Sequence, residues 1–103
     1  MKTTKIFGQT VPSSTTVNGT AVPLIAKFDE DGIVQVSTTN SPTVRIQGRA
    51  SPEAPWINII LNAAGDTSTT AANGYFTLPL FPEMRASVTA GVANAVVDIW
   101  LAD

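Results

Sequence analysis

Apolar and polar residues alternate one by one through the last third of this chain. In residues 75–80, Phe76, Leu78 and Leu80 share one phase, and Tyr75 and Thr77 take the other. In residues 84–90, Met84, Ala86, Val88 and Ala90 alternate with Arg85, Ser87 and Thr89. In residues 95–101, Val97, Ile99 and Leu101 alternate with Val96, Asp98 and Trp100. A period of two sends successive side chains to opposite faces, so each run predicts a half-buried strand. Phe81-Pro82-Glu83 and Gly91-Val92-Ala93-Asn94 separate the runs, and the stretch reads as an antiparallel meander.

The same period continues upstream. Residues 33–38 (IVQVST) read as a strand, and Asn40-Ser41-Pro42 as a turn. In residues 43–49, Val44, Ile46 and Gly48 oppose Arg45, Gln47 and Arg49. Residues 56–61 (WINIIL) are apolar on both faces, which predicts a strand covered on both sides or an aromatic lid on a sandwich end. The polar stretch 62–74 leaves room for a short edge strand near residues 67–71 and ends on Asn73-Gly74, a turn signal. Residues 20–28 read as an apolar strand interrupted by Pro23. Asp29-Glu30-Asp31-Gly32 reads as a hairpin turn on Asp31-Gly32. Its acidic residues lack the later ligands of a calcium loop. Residues 1–20 are either a first strand near residues 5–9 plus a loop, or an extended arm. Together these elements predict one domain over residues 21–103 with that N-terminal piece attached. The expected fold is all-β: a single antiparallel β-sandwich, Ig-like or jelly-roll-like, of about seven or eight strands and no substantial helix.

Composition narrows the partners. The chain has 103 residues, enough for one core, with 44% hydrophobic and only 14% charged residues. A net charge of -2 with scattered basic residues disfavours nucleic acid and anionic membrane surfaces, which are held by clustered Lys and Arg. There is no cysteine and no histidine, which removes disulfides, thiolate sites and the commonest general base. No apolar run reaches the roughly 20 residues of a membrane helix. Met1-Lys2-Thr3-Thr4-Lys5 lacks a following apolar segment, so synthesis in a cytoplasm is expected.

Candidate chemistry is sparse. Serines have no Gly-x-Ser-x-Gly setting and no histidine to activate them. The carboxylates fall mostly in turns. The chain reads as no enzyme, with no catalytic, cofactor-binding or metal-binding residue. Two side chains carry two readings each. Arg85 is either a structural arginine paired with a local acceptor or a partner contact. Trp100 is either buried against the second sheet or Trp56, or an exposed anchor at an interface.

The order of motifs in residues 33–103 resembles the small β-sandwich proteins that decorate, or cement, the capsids of tailed bacteriophages. It runs through Val34-Gln35-Val36, Thr43-Val44-Arg45-Ile46-Gln47-Gly48 and Trp56-Ile57-Asn58-Ile59. Gly74-Tyr75-Phe76-Thr77-Leu78 and Leu80-Phe81-Pro82-Glu83-Met84-Arg85-Ala86-Ser87-Val88 follow. The resemblance implies a non-enzymatic virion structural protein on the capsid exterior, bound to the major capsid protein. It would need no cofactor and would self-associate, with a trimer preferred to a dimer. Ile6, Phe7, Phe81, Arg85, Val96 and Trp100 are the expected partner-binding residues, with Ile6 and Phe7 packing on a neighbour. The rival is a carbohydrate-binding or adhesin-type sandwich. It would need rings from Trp56, Tyr75, Phe81 or Trp100 aligned on one exposed face.

Overall fold

A computed structural model describes residues 3–24 and 30–103. Among them it contains nine strands and no helix: β1 (Thr3–Val11), β2 (Thr16–Asn18), β3 (Val22–Pro23), β4 (Asp31–Thr38), β5 (Thr43–Arg49), β6 (Ile57–Asn58), β7 (Asn73–Pro79), β8 (Glu83–Thr89) and β9 (Ala95–Ala102). Two sheets form, one in the order β1-β9-β4-β7 and one in the order β2-β8-β5-β6, with β3 also on β8. Every strand pair is antiparallel. The chain is a single β-sandwich.

The strand order decides between the two expected topologies. β3 continues β2 along the same edge of β8, since Val17 faces Val88 and Val22 faces Met84. With these two taken as one strand, the first pairs with the last, the second with the next to last, and so inward to β5 with β6. That is a hairpin rolled into two sheets, the jelly roll. An Ig-like sandwich would instead keep several consecutive strands side by side.

The predicted meander is therefore corrected. β7 and β9 lie in one sheet and β8 in the other, so residues 80–82 and 90–94 are arches between sheets. Neither link carries Asn-Gly or Asp-Gly, the pairs that close a two-residue hairpin. Leu80 is buried and Phe81 half-buried at the first crossing. Two adjacent apolar residues can both point inward there because the chain turns through the end of the core. Asp31-Gly32 is not a turn either. Both residues begin β4, facing Pro79 and Leu78. A side chain on Gly32 would approach Leu80 to 2.6 Å, so this glycine serves packing. Asn73-Gly74 likewise begins β7. The strand expected over residues 20–28 shrinks to β3, and residues 25–28 lie outside the described residues, as does Asp29 of the predicted turn. The edge strand near residues 67–71 reduces to one bridge, Thr69 to Val44.

The core lies between the inward phases. Val34, Val36, Ile99 and Leu101 of one sheet meet Val44, Ile46, Met84, Ala86 and Val88 of the other, all fully buried or nearly so. Each Val, Leu, Ile or Met side chain among these contributes roughly 1.5–3 kcal/mol relative to exposure. Ile6 and Phe7 belong to this core, at 5% and 3% exposure. The β1–β9 register shifts between Lys5 and Phe7, so a bulge lets two consecutive apolar residues face inward. The expectation that they pack on a neighbouring subunit or on the capsid is corrected: they are buried in the core of their own domain.

Candidate interaction surface

With the inner faces filled, the outer faces are the sheet surfaces left to meet a partner. β5 and β8 are neighbours in register, with Arg45 opposite Ser87, Gln47 opposite Arg85, and Arg49 opposite Glu83. Because Val44, Ile46, Met84, Ala86 and Val88 point inward, all of these partners point outward. The three arginines of the chain thus share one face, accompanied by a single carboxylate, Glu83.

These side chains are ordered by mutual contacts. The Arg49 Nε and Nη2 donate to Glu83 Oε1 at 3.2 and 2.8 Å, in an ion pair whose side chains keep 19% and 18% of their exposure. Arg85 Nε donates to Gln47 Oε1 at 2.8 Å, and Gln47 Nε2 donates to Asn58 Oδ1 at 3.0 Å. The two bonds fix which way the Gln47 amide faces. Trp56, just before β6, lies against this face. Its ring centroid is 4.3 Å from the Arg49 guanidinium carbon and 4.4 Å from that of Arg85. Both are within cation–π range, where a contact is worth about 0.5–2 kcal/mol. Partial burial, and then the neighbouring charge of Arg49, hold the Arg85 pKa below the ordinary arginine value. Arg45 is half-exposed and has no partner among the described residues. Hydroxyl and amide groups border the arginines: Ser87 donates to Asn18 Oδ1 at 2.7 Å, and the Thr16 and Thr89 hydroxyls meet at 2.8 Å.

The opposite outer face differs. One row across the four strands reads Lys5, Trp100, Gln35, Tyr75. Lys5 Nζ pairs with Asp98 at 2.8 Å and sits 5.5 Å from the Trp100 ring centroid, so its one cation is matched by one carboxylate. Ile33, Tyr75 and Val96 are exposed there, at 40%, 76% and 50%. Shallow grooves occur beside β1, along Lys5, Phe7, Gln9 and Val22, and over β4 and β7, along Ile33, Gln35, Asn73 and Tyr75. Neither groove holds a paired carboxylate or a nucleophile with a base. No cluster of His, Cys, Asp or Glu suited to a metal occurs among the described residues. No helix among them is long and apolar enough to cross a membrane.

The six expected contact residues do not form one site. Ile6 and Phe7 are in the core. Phe81 is half-buried over Gly48. Val96 and Trp100 share the outer face of β9, as their phase predicts, while Arg85 lies on the far side of the sandwich. Trp56 is neither in a strand covered on both faces nor a lid on a sandwich end, because β6 is only two residues long and the ring rests on the arginine face. Arg45, Arg49, Gln47, Glu83 and Asn58 join the candidate surface, and the sequence signal for them was the shared phase of Arg45, Gln47 and Arg49. No protein-family model, curated protein or solved structure matches this chain.

Proposed function

We propose that the protein is a non-enzymatic virion structural protein, a capsid decoration or cement protein that binds the outer surface of a phage head and stabilises it. The observation that carries this reading is the preordered arginine face, a docking surface concentrated on one side of a weakly charged sandwich. Ordered side chains lose little freedom on binding, which favours repeated contacts on a lattice. The motif resemblance of residues 33–103 supplies the partner, the major capsid protein. The jelly roll is compatible, since viral capsid domains use it, but fold alone assigns no function.

The glycan-binding rival needs free aromatic rings in a row. Trp56 is taken by two guanidiniums and Trp100 by Lys5, which leaves Tyr75 as the exposed ring of that row. The opposite face, with Ile33, Tyr75 and Val96, is the proposed self-association surface, with a trimer preferred. The test is sedimentation of the protein with capsid shells, beside a glycan array and light scattering. Occupancy on shells, no glycan signal and a multiple of the 10.8 kDa mass are expected. Failure to co-sediment would overturn the decoration reading, and selective glycan binding would replace it.

A further inference from the structure

The arginine face is not uniform: its three guanidiniums have different commitments. Arg49 is neutralised by Glu83 and largely withdrawn from solvent. Arg85 uses its Nε–H on Gln47, and its terminal nitrogens have no protein acceptor among the described residues. Arg45 has no acceptor at all among them. Trp56 and Gln47 hold the Arg85 guanidinium in place, so its outer edge is a preformed fork of donors. Like charges have been brought together with one counter-charge, in a chain whose formal net charge is -2. Such crowding is unfavourable until an anion sits between the groups.

We infer that Arg45 and Arg85 grip two carboxylates of an acidic strip on the partner protein, while Arg49, Glu83, Trp56 and Gln47 hold the grip in shape. The geometry sets the spacing. Arg45 faces Ser87, two residues along β8 from Arg85, so the two arginines are diagonal neighbours. Diagonal positions lie about 7–8 Å apart. Carboxylates on alternate residues of an extended segment are about 6.6–6.8 Å apart, at 3.3–3.4 Å per residue. An Asp/Glu-x-Asp/Glu strip therefore fits, each carboxylate facing one planar fork. A protein strip fits better than nucleic acid. The positive patch is local, the one described lysine lies on the other face against Asp98, and the chain as a whole is acidic, so a long polyanion would meet repulsion beyond the patch. The bordering Asn18 amide and the Thr16, Thr43 and Thr89 hydroxyls suit the polar contacts of a protein surface, while Ser87 is buried and bonded to Asn18.

This inference rests on the docking reading above, and one set of experiments separates the two. The intact protein is titrated, by nuclear magnetic resonance of arginine Nε–H signals, with the acetylated peptide Gly-Glu-Gly-Glu-Gly. The parallel probes are its Gln counterpart, inorganic phosphate and a single-stranded oligonucleotide. The Glu peptide should shift Arg45 and Arg85 with about millimolar affinity, and the Gln peptide should not. Arg45→Gln, which removes no internal contact, should weaken the Glu peptide about tenfold, as should Arg85→Gln. On capsid shells the double variant should lose occupancy, and wild-type occupancy should fall with salt. Equal binding of the Gln peptide, tighter binding of phosphate or the oligonucleotide, or unchanged affinity in Arg45→Gln would overturn the inference. A wild type that ignores shells but grips the Glu peptide through these arginines removes the capsid reading and leaves the inference standing. Full, salt-insensitive shell occupancy of the double variant does the reverse.

Discussion

Gly48 sits on the inward phase of β5, directly beneath Phe81 at the arch between β7 and β8. A β-carbon added there would lie 2.5, 2.7 and 2.8 Å from Phe81 Cγ, Cδ1 and Cβ. Carbon atoms prefer about 3.5–4.0 Å, so Gly48→Ala pushes the ring outward by roughly 1 Å. Overpacking of this kind costs about 1–3 kcal/mol. Against it stands the gain of about 0.5–1 kcal/mol for replacing a strand glycine with alanine. The net expectation is a loss of up to about 2.5 kcal/mol, or a fall in Tm of up to roughly 20 °C for a domain of this size. Phe81→Ala removes a half-buried ring, so it should cost less than the 3–5 kcal/mol typical of a fully buried one. The decisive measurement is the double variant in urea. With the ring gone, the added methyl meets no obstacle, and Gly48→Ala should become stabilising by about 0.5–1 kcal/mol. The sign of one substitution thus reverses with the residue above it, a coupling of about 1–3 kcal/mol. Equal effects of Gly48→Ala in both backgrounds would refute the packing argument.

Other outcomes follow from the same geometry. Deleting residues 1–12 removes β1 and the buried Phe7, so far-ultraviolet circular dichroism should report an unfolded chain; Phe7→Ala alone should cost about 3–5 kcal/mol by denaturation. Glu83→Gln strips the charge partner from a largely buried guanidinium and should cost about 1–3 kcal/mol. Lys5→Met breaks a pair that is 50% and 34% exposed, and should change stability by under about 1 kcal/mol, with the difference fading in high salt. Asn94→Ala removes the acceptor for Ser13 N–H at 2.8 Å and should lower urea stability by about 0.5–1.5 kcal/mol.

Alternation made the strands legible because it reports which side of each strand is buried, a local property. Thr43–Arg49 and Ala95–Ala102 match their predicted runs to within a residue. Pairing was not legible, since the same inward phase serves a hairpin and an arch equally well. What decides is the linker. At the end of the sandwich, Ser14 N–H bonds to Gly91 O at 2.7 Å, Asn40 Nδ2 to Asn94 O at 2.7 Å, and Val96 N–H to the Thr39 hydroxyl at 2.9 Å. These bonds join three arches whose residues are far apart in the chain. Ser14, Asn40 and Ser41 adopt positive φ there, at 54°, 59° and 49°. Such contacts exist only once the sheets have formed, so no window of sequence contains them. Ile6-Phe7 fails for a related reason: strict alternation forbids two buried neighbours, and only the bulge against β9 permits them.

The candidate site shows the same division between phase and pairing. Phase alone put Arg45, Gln47 and Arg49 together, and separately put Arg85 with Ser87. Only the β5–β8 register brings Arg85 beside Gln47 and leaves Arg45 diagonal to it. Trp56 lies one residue before the paired Ile57 and Asn58, and its ring reaches the guanidiniums of both Arg49 and Arg85. A face built from β5, β6 and β8 is a product of the roll itself, because those strands are adjacent only when the chain's second half folds back across its first. The charge clustering is therefore a property of topology acting on a sequence whose basic residues look scattered. This is why a net charge of -2 disfavours extended polyanions as partners yet says nothing about the proposed local grip on two carboxylates.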